Sequence, residues 1–265
     1  MSEDKLLDVK KLSVHFVNNG NAVKAVENAD LYVQKGETVG LVGESGCGKS
    51  SLALSILRLI DPPGKIYGEI KWKGRNLLNI SEPEMQEIRG GDISMVFQDP
   101  FSSLNPVFKV GEQIAEALRI HQGLTRDQAW ERAVELLDMV HIRDARSRAD
   151  DYPHQFSGGM KQRVAVAIAY ALSPDLLIAD EPTTALDVTM QKSILDLLKE
   201  LKTTMLFISH NIALVSQLCG RTYVMQAGRI VEEGSTSEMI KDPKNAYTAK
   251  LVNSYREISL GVNRS

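Results

Sequence analysis

Cysteine is scarce in this chain. Its two cysteines, Cys47 and Cys219, form no C-x-x-C pair and belong to no His/Cys cluster. That excludes a disulfide framework and a zinc site of the usual spacing. Excess charge of one sign is lacking as well: 31 Lys and Arg against 34 Asp and Glu leave a net charge of −3, and no stretch reads as a basic groove. General affinity for nucleic acid or for anionic lipid is therefore not expected. Long hydrophobic runs are missing too. The longest, Val164 to Leu172, falls far short of the roughly 20 apolar residues that a membrane-spanning helix needs. Met1-Ser2-Glu3-Asp4-Lys5 lacks the basic-then-apolar order of a secretory signal, so the protein is expected to stay in the cytoplasm. There is no internal repeat, low-complexity tract or long structureless loop. What remains, 43% hydrophobic and 25% charged residues over 265 positions, is enough for one large or two modest globular domains.

What is present is organised around Gly43-Glu44-Ser45-Gly46-Cys47-Gly48-Lys49-Ser50, a complete G-x-x-x-x-G-K-[ST] phosphate-binding loop. The apolar run Thr38 to Val42 precedes it, and the helix-compatible stretch Ser51 to Ile60 follows, with Leu52, Ile56 and Leu59 on one face. Glycines let backbone N–H groups at a helix N-terminus wrap a polyphosphate. Lys49 then reaches the β- and γ-phosphates and the Ser50 hydroxyl ligates Mg²⁺. The nucleotide-binding stretch runs from Gly43 to Ser51. Cys47, beside bound phosphates, is expected to be sensitive to alkylation.

In chain order, Leu7, Val9, Leu12, Val14, Phe16 and then Ala29, Leu31, Val33 alternate with polar residues on two strands joined at Asn18-Asn19-Gly20-Asn21. Tyr67 to Gly74 adds a short strand and a turn, and Ile93 to Phe97 reads as a buried strand ending at Gln98-Asp99-Pro100. From Phe101 to about Tyr152 strands vanish, and Val110–His121 and Thr125–Val140 carry helical spacing. Strands and helices then alternate: helix Met160–Leu172, strand Leu176–Ala179, helix Met190–Glu200, strand Met205–Ser209, helix Ile212–Cys219, and a hairpin from Thr222 to Glu232. That order implies an α/β fold whose mostly parallel sheet binds its ligand at the strand C-terminal ends.

Two further loops carry chemistry. Leu176 to Ala179 delivers the adjacent acids Asp180 and Glu181 to a strand end, followed by Pro182. Two carboxylates after four apolar residues are costly unless a cation and a reaction use them. Asp180 suits Mg²⁺; Glu181 suits a general base for the attacking water. Phe156-Ser157-Gly158-Gly159-Met160-Lys161-Gln162-Arg163 sets Ser157 at a helix start, either as a simple N-cap or as a second anion site. One chain does not easily aim two helix N-termini at one γ-phosphate. Two chains head-to-tail do.

With these loops in this order, the chain resembles the nucleotide-binding subunits of ABC transporters over nearly its whole length. Their Leu-Ser-Gly-Gly-Gln signature is matched by Phe156-Ser157-Gly158-Gly159-Met160; Met160 in place of Gln leaves the backbone donors intact. The resemblance implies a P-loop NTPase core of RecA-like type, with an N-terminal antiparallel β subdomain and an inserted helical subdomain. It implies one nucleotide-binding domain over 1–265: an ATP-binding core at 1–100 and 158–235, the helical subdomain at 101–157 and a tail at 236–265. It also implies that Gln98 senses Mg²⁺ and links the site to a transmembrane partner. Ala185-Leu186-Asp187 then crosses a dimer interface, His210 contacts the γ-phosphate, and Phe16 either stacks on adenine or is core.

The implied machine is a pair of ATPase subunits, identical or not, that close on two Mg-ATP. Each nucleotide is held by one chain's phosphate loop and by Ser157, Gly158, Gly159, Met160 and Asp187 of the other. The segment from Phe101 to Tyr152 together with Gln98 receives cytoplasmic helices of integral membrane permease subunits, with Phe101, Leu104, Val107 and Phe108 as groove candidates. The chain is then a peripheral protein of the cytoplasmic membrane face, served indirectly by an extracellular substrate-binding protein. Gln98 to Pro106 and Ala179 to Asp187 resemble the importers for oligopeptides, dipeptides and nickel. Asp242 to Thr248 resembles that group's Pro-x-His-Pro-Tyr-Thr element, with Asn245-Ala246 in place of His-Pro. Ending at Ser265, without a longer cysteine-containing extension, weighs toward nickel or another metal chelate. The alternative is a soluble ABC ATPase acting on nucleic acid or ribosomes, which the lack of a coiled-coil insertion, a second ATPase domain and a basic face disfavours. A small-molecule kinase would leave residues 157–163, Asp187 and His210 without roles.

Overall fold

The strict alternation at the N-terminus produces two long antiparallel strands, β1 (Lys5–Asn18) and β2 (Asn21–Gln34). The computed structural model describes residues 5–18, 21–99, 103–184 and 186–261. Phe101 of the expected groove and Ala185 of the Ala-Leu-Asp stretch lie outside them. After β3 (Thr38–Val42), α1 (Lys49–Ile56) and β4 (Gly64–Trp72), a turn at Lys73-Gly74 leads to the short β5 (Arg75–Asn76). Next come α2 (Glu82–Gly91) and β6 (Ile93–Val96). The helices α3 (Val110–Gln122), α4 (Arg126–Met139), α5 (Ala145–Arg148) and α6 (Gly158–Tyr170) follow. β7 (Leu176–Asp180), α7 (Val188–Glu200), β8 (Thr204–Ser209) and α8 (Ile212–Leu218) restore the alternation. The hairpin β9 (Arg221–Gln226) and β10 (Arg229–Ser235) leads into α9 (Thr236–Lys241) and α10 (Ala246–Gly261).

The chain divides into two compact units, residues 1–85 with 204–265, and residues 86–203. In the first, β2-β1-β4-β5 form an antiparallel sheet. A second sheet there runs β10-β9-β3-β8, in which β3 is parallel to both β8 and β9. Val39, Leu41 and Val42 of β3 and Phe207 and Ile208 of β8 are fully buried, as strands covered on both faces must be. In the second unit β6 pairs with β7 in parallel, and every residue of both is buried. α3 buries Ile114 and Leu118, and α4 buries Ala129, Ala133, Leu136 and Leu137, the stripes that helical spacing marked out. The fold is α/β with a mixed sheet and a separate N-terminal antiparallel sheet.

Several boundaries differ from the sequence reading. α1 stops at Ile56, because Arg58 turns into the left-handed region (φ 53°), and Leu59 is left 37% exposed rather than on the buried face. β6 stops at Val96, and Phe97 is 41% exposed instead of buried. Of the groove candidates, Leu104 is buried in the core while Val107 and Phe108 are exposed. α2 had no apolar stripe to announce it. Its start is nevertheless written in Ser81 and Glu84, whose side chains take each other's backbone N–H at 3.5 and 2.8 Å.

Candidate nucleotide site

The phosphate loop hangs between the buried end of β3 and the first turn of α1. Its glycines answer to close approach and to backbone angle. A Cβ on Gly43 would be driven into the Met225 carbonyl, and one on Gly48, which sits at φ 106° as the α1 N-cap, into the Ala25 carbonyl. Gly46 is also left-handed, at φ 77°. From outside, Gly228 N–H donates to the Cys47 carbonyl at 2.9 Å and Glu44 N–H donates to the Tyr247 hydroxyl at 2.9 Å. From inside, Lys49, only 4% exposed, donates through Nζ to the carbonyls of Gly43 at 2.8 Å and Glu44 at 2.9 Å. The first-turn N–H groups of α1, beside half-buried Ser50 and Ser51, point where an anion is favoured. Glu44, Ser45 and Gly46 are exposed at the mouth.

Cys47 Sγ lies 3.9 Å from Lys49 Nζ. Burial pushes the Cys47 thiol up, and the Lys49 charge only partly opposes it. The expected alkylation sensitivity therefore meets a buried thiol that stays protonated at neutral pH.

In the second unit, β7 delivers two buried carboxylates, Asp180 at 3% and Glu181 at 7% exposure. Glu181 stands at φ 46°, an unusual backbone for a non-glycine residue. Its Oε2 accepts from Gln98 Nε2 at 3.2 Å and from the Thr184 hydroxyl at 2.9 Å. Gln98 and Glu181, 83 positions apart, are thus brought together, a contact the sequence reading did not specify. Thr184 was not foreseen; its only signal was the three-residue spacing from Glu181. Within the second unit, Asp180 and Gln98 offer hard oxygen donors of carboxylate and amide type, and Ser50 in the first offers a hydroxyl, each of a kind that Mg²⁺ takes. Among the described residues no group of three or more His, Cys, Asp or Glu makes a protein-only metal site. Magnesium commonly uses one or two carboxylates, waters and substrate phosphates instead.

The remaining residues stand on element ends. Ser157 is exposed and caps α6, its Oγ accepting from Met160 N–H at 3.3 Å, while Gly158 and Gly159 open the helix. Gly159 faces the Met190 methyl so closely that no side chain fits without moving that methionine. Asp187, also exposed, caps α7 by accepting from Met190 N–H at 2.9 Å. His210 is exposed in the bend after β8. Phe16 is half-buried on β1, opposite Gly64 and Val23, so it is not a core residue. No helix among the described residues is long and apolar enough to cross a membrane.

The sequence pattern of the family described as ABC transporter matches residues 26–184. The probable peptide ABC transporter ATP-binding protein y4tR of Sinorhizobium fredii is 50% identical over 257 residues, covering 95% of this chain and 77% of that protein. The dipeptide transport ATP-binding protein DppD of Haemophilus influenzae is 47% identical over 264 residues, covering 98% of this chain and 80% of that protein. Among solved structures, the ATP-binding cassette MJ0796, a dimer in a post-hydrolysis state bound to ADP and Pi, superposes with a TM-score of 0.78. It is 28% identical, and the match covers 87% of this chain and 98% of that one.

Proposed function

The chain belongs to the ABC transporter family, and from that premise we propose that it is the ATP-hydrolysing subunit of an importer for short peptides. That it is an ATPase of this family follows from the family match and from the hydrolysis-state cassette it resembles. The peptide cargo rests on one observation: likeness over almost the whole chain to two proteins whose names specify peptide and dipeptide transport. Peptide takes precedence over nickel, which only the short C-terminus favoured.

Within the first unit, Lys49 moves from the carbonyls of Gly43 and Glu44 to the β- and γ-phosphates, and loop N–H groups wrap the same oxygens. Phe16 stacks on adenine and His210 contacts the γ-phosphate. Within the second, Glu181 accepts a proton from the attacking water, held in orientation by Gln98 and Thr184. Ser50 in the first unit, and Gln98 and Asp180 in the second, are the residues that would offer Mg²⁺ an oxygen. That ion supplies charge neutralisation on the phosphates. Ser157, Gly158, Gly159, Met160 and Asp187 meet the nucleotide of a second ATPase subunit, so closure requires ATP and hydrolysis releases the pair. Membrane permease subunits dock on the second unit, where Met95, Val96, Phe97, Ser103, Ala165 and Ile168 line an apolar recess of about 450 Å³. The chain works at the cytoplasmic membrane face, with an extracellular binding protein upstream.

The test is uptake in a strain lacking the gene. Growth on a required amino acid supplied only as short peptides is expected to fail, and to return with the intact gene but not with Glu181→Gln. Radiolabelled nickel accumulation is expected to be unchanged. A selective nickel defect, or no defect in either assay, overturns the peptide assignment.

A further inference from the structure

The phosphate loop is gripped by a residue from the far end of the chain. Tyr247 is 203 positions from Glu44, yet its hydroxyl accepts the Glu44 N–H at 2.9 Å, and the ring is buried to 7% exposure. That N–H belongs to the same peptide unit as the Gly43 carbonyl, which accepts Lys49 Nζ at 2.8 Å. One peptide plane is therefore fixed at both poles, by the lysine inside the loop and by the tyrosine outside it. Hydrogen bonds at opposite ends of an amide polarise and strengthen each other.

The tyrosine is itself held rigidly. Asn245 Oδ1 accepts Tyr247 N–H at 2.8 Å, and Asn245 Nδ2 donates to the Val231 carbonyl at 3.4 Å. The Glu232 carboxylate accepts the N–H groups of Lys244 and Asn245, both at 3.0 Å. Val231 and Glu232 lie on β10, β10 pairs with β9, and β9 pairs with β3, the strand that enters the loop. The anchor of the tyrosine and the root of the loop thus share one sheet. Burial pushes the Tyr247 phenol up, so it stays neutral over the physiological range.

We propose that Tyr247 is a positioning residue of the nucleotide site: its hydroxyl keeps the Gly43–Glu44 peptide in place when Lys49 leaves the Gly43 carbonyl for phosphate, so the C-terminal segment sets ATP affinity. The inference rests on the reading of this loop as the ATP site. It also gives Asn245 a purpose, as the helix cap that aims the ring.

The experiment compares the full chain with Tyr247→Phe and Val252→Ala by calorimetric titration with Mg-ATP and by nucleotide-free thermal unfolding. Tyr247→Phe keeps the ring and removes one acceptor; ATP is expected to bind about three- to ten-fold more weakly. Its melting temperature is expected to fall by no more than about 4 °C. Val252→Ala empties a buried position on the same helix without touching the loop, and is expected to lower the melting temperature but not ATP affinity. In the assembled transporter Tyr247→Phe raises KM for ATP and leaves kcat near the parental value. Parental affinity in Tyr247→Phe overturns the proposal, as does an equal loss in Val252→Ala, which would make the effect one of general stability. If the parental chain binds no ATP, the assignment of the loop fails, and the role of Tyr247 with it.

Discussion

Glu181 joins burial, a left-handed backbone and two hydrogen-bond donors on a single oxygen. A carboxylate taken from water is stabilised by such donors. Replacing it by Gln preserves shape and removes the base. Glu181→Gln is therefore expected to bind ATP with parental affinity and to release phosphate about 100-fold more slowly or worse. A coupled phosphate-release assay beside an ATP titration checks this, and parental turnover would show that another group takes the proton. The carboxylate pair was legible in the sequence because four apolar residues before two acids define a buried strand with a charged end. Thr184 was not legible, since a hydroxyl three residues along a loop acquires a partner only once Glu181 has adopted its unusual φ. Tyr247 was hidden for a different reason: its partner is a backbone N–H, which no sequence pattern displays.

At the scale of the element, the strand-loop-helix carrying the phosphates is fixed by where side chains are forbidden. Gly48 combines φ 106° with a Cβ position inside the Ala25 carbonyl, so an alanine there meets both backbone strain and backbone collision. Relief requires β2 or the loop to move, and either displaces the first-turn N–H groups of α1. Gly48→Ala is expected to weaken ATP binding by about tenfold or more and to lower the melting temperature; titration and thermal unfolding read both. Retained affinity would mean that the loop tolerates a different arrangement at its N-cap. Gly36, by contrast, has a positive φ of 76° but open space, and there strain alone acts. The motif announced this element in full, boundaries apart. α1 ended about one turn short of where its apolar spacing promised, at Ile56 rather than Ile60, because the run to Pro62-Pro63 turns out of the helix at Arg58. The helices α2, α9 and α10 escaped the reading, being either short or without a continuous apolar stripe; Ser81 caps α2 and Asn245 caps α10, and tertiary burial of Met85, Met239 and Tyr247 holds all three.

For the whole molecule, the question is how one chain uses two helix starts that each attract an anion. Lys49 opens α1 in the first unit, and Ser157 caps α6 in the second; the sequence reading assigned them to opposite chains of a pair. Ser157 is exposed and has a Met160 N–H as its local partner, a state in which it serves its own helix and still faces outward to a neighbour. Sharing makes a sharp demand. Lys49→Ala abolishes phosphate binding by its own loop but leaves a sound Ser157, and Ser157→Arg keeps the loop while blocking the surface offered to the partner. Each variant alone is expected to be inactive, the second while still binding ATP. Mixed in equal amounts, they should recover about a quarter of the parental hydrolysis rate, since half of the pairs are mixed and each mixed pair holds one intact site of two. Phosphate release from the mixture, against each variant alone, is the measurement. A mixture as inactive as its components would place both residues in the service of one chain's nucleotide and would remove the head-to-tail pair from the mechanism, whereas activity already present in Ser157→Arg alone would relieve Ser157 of any role beyond capping α6.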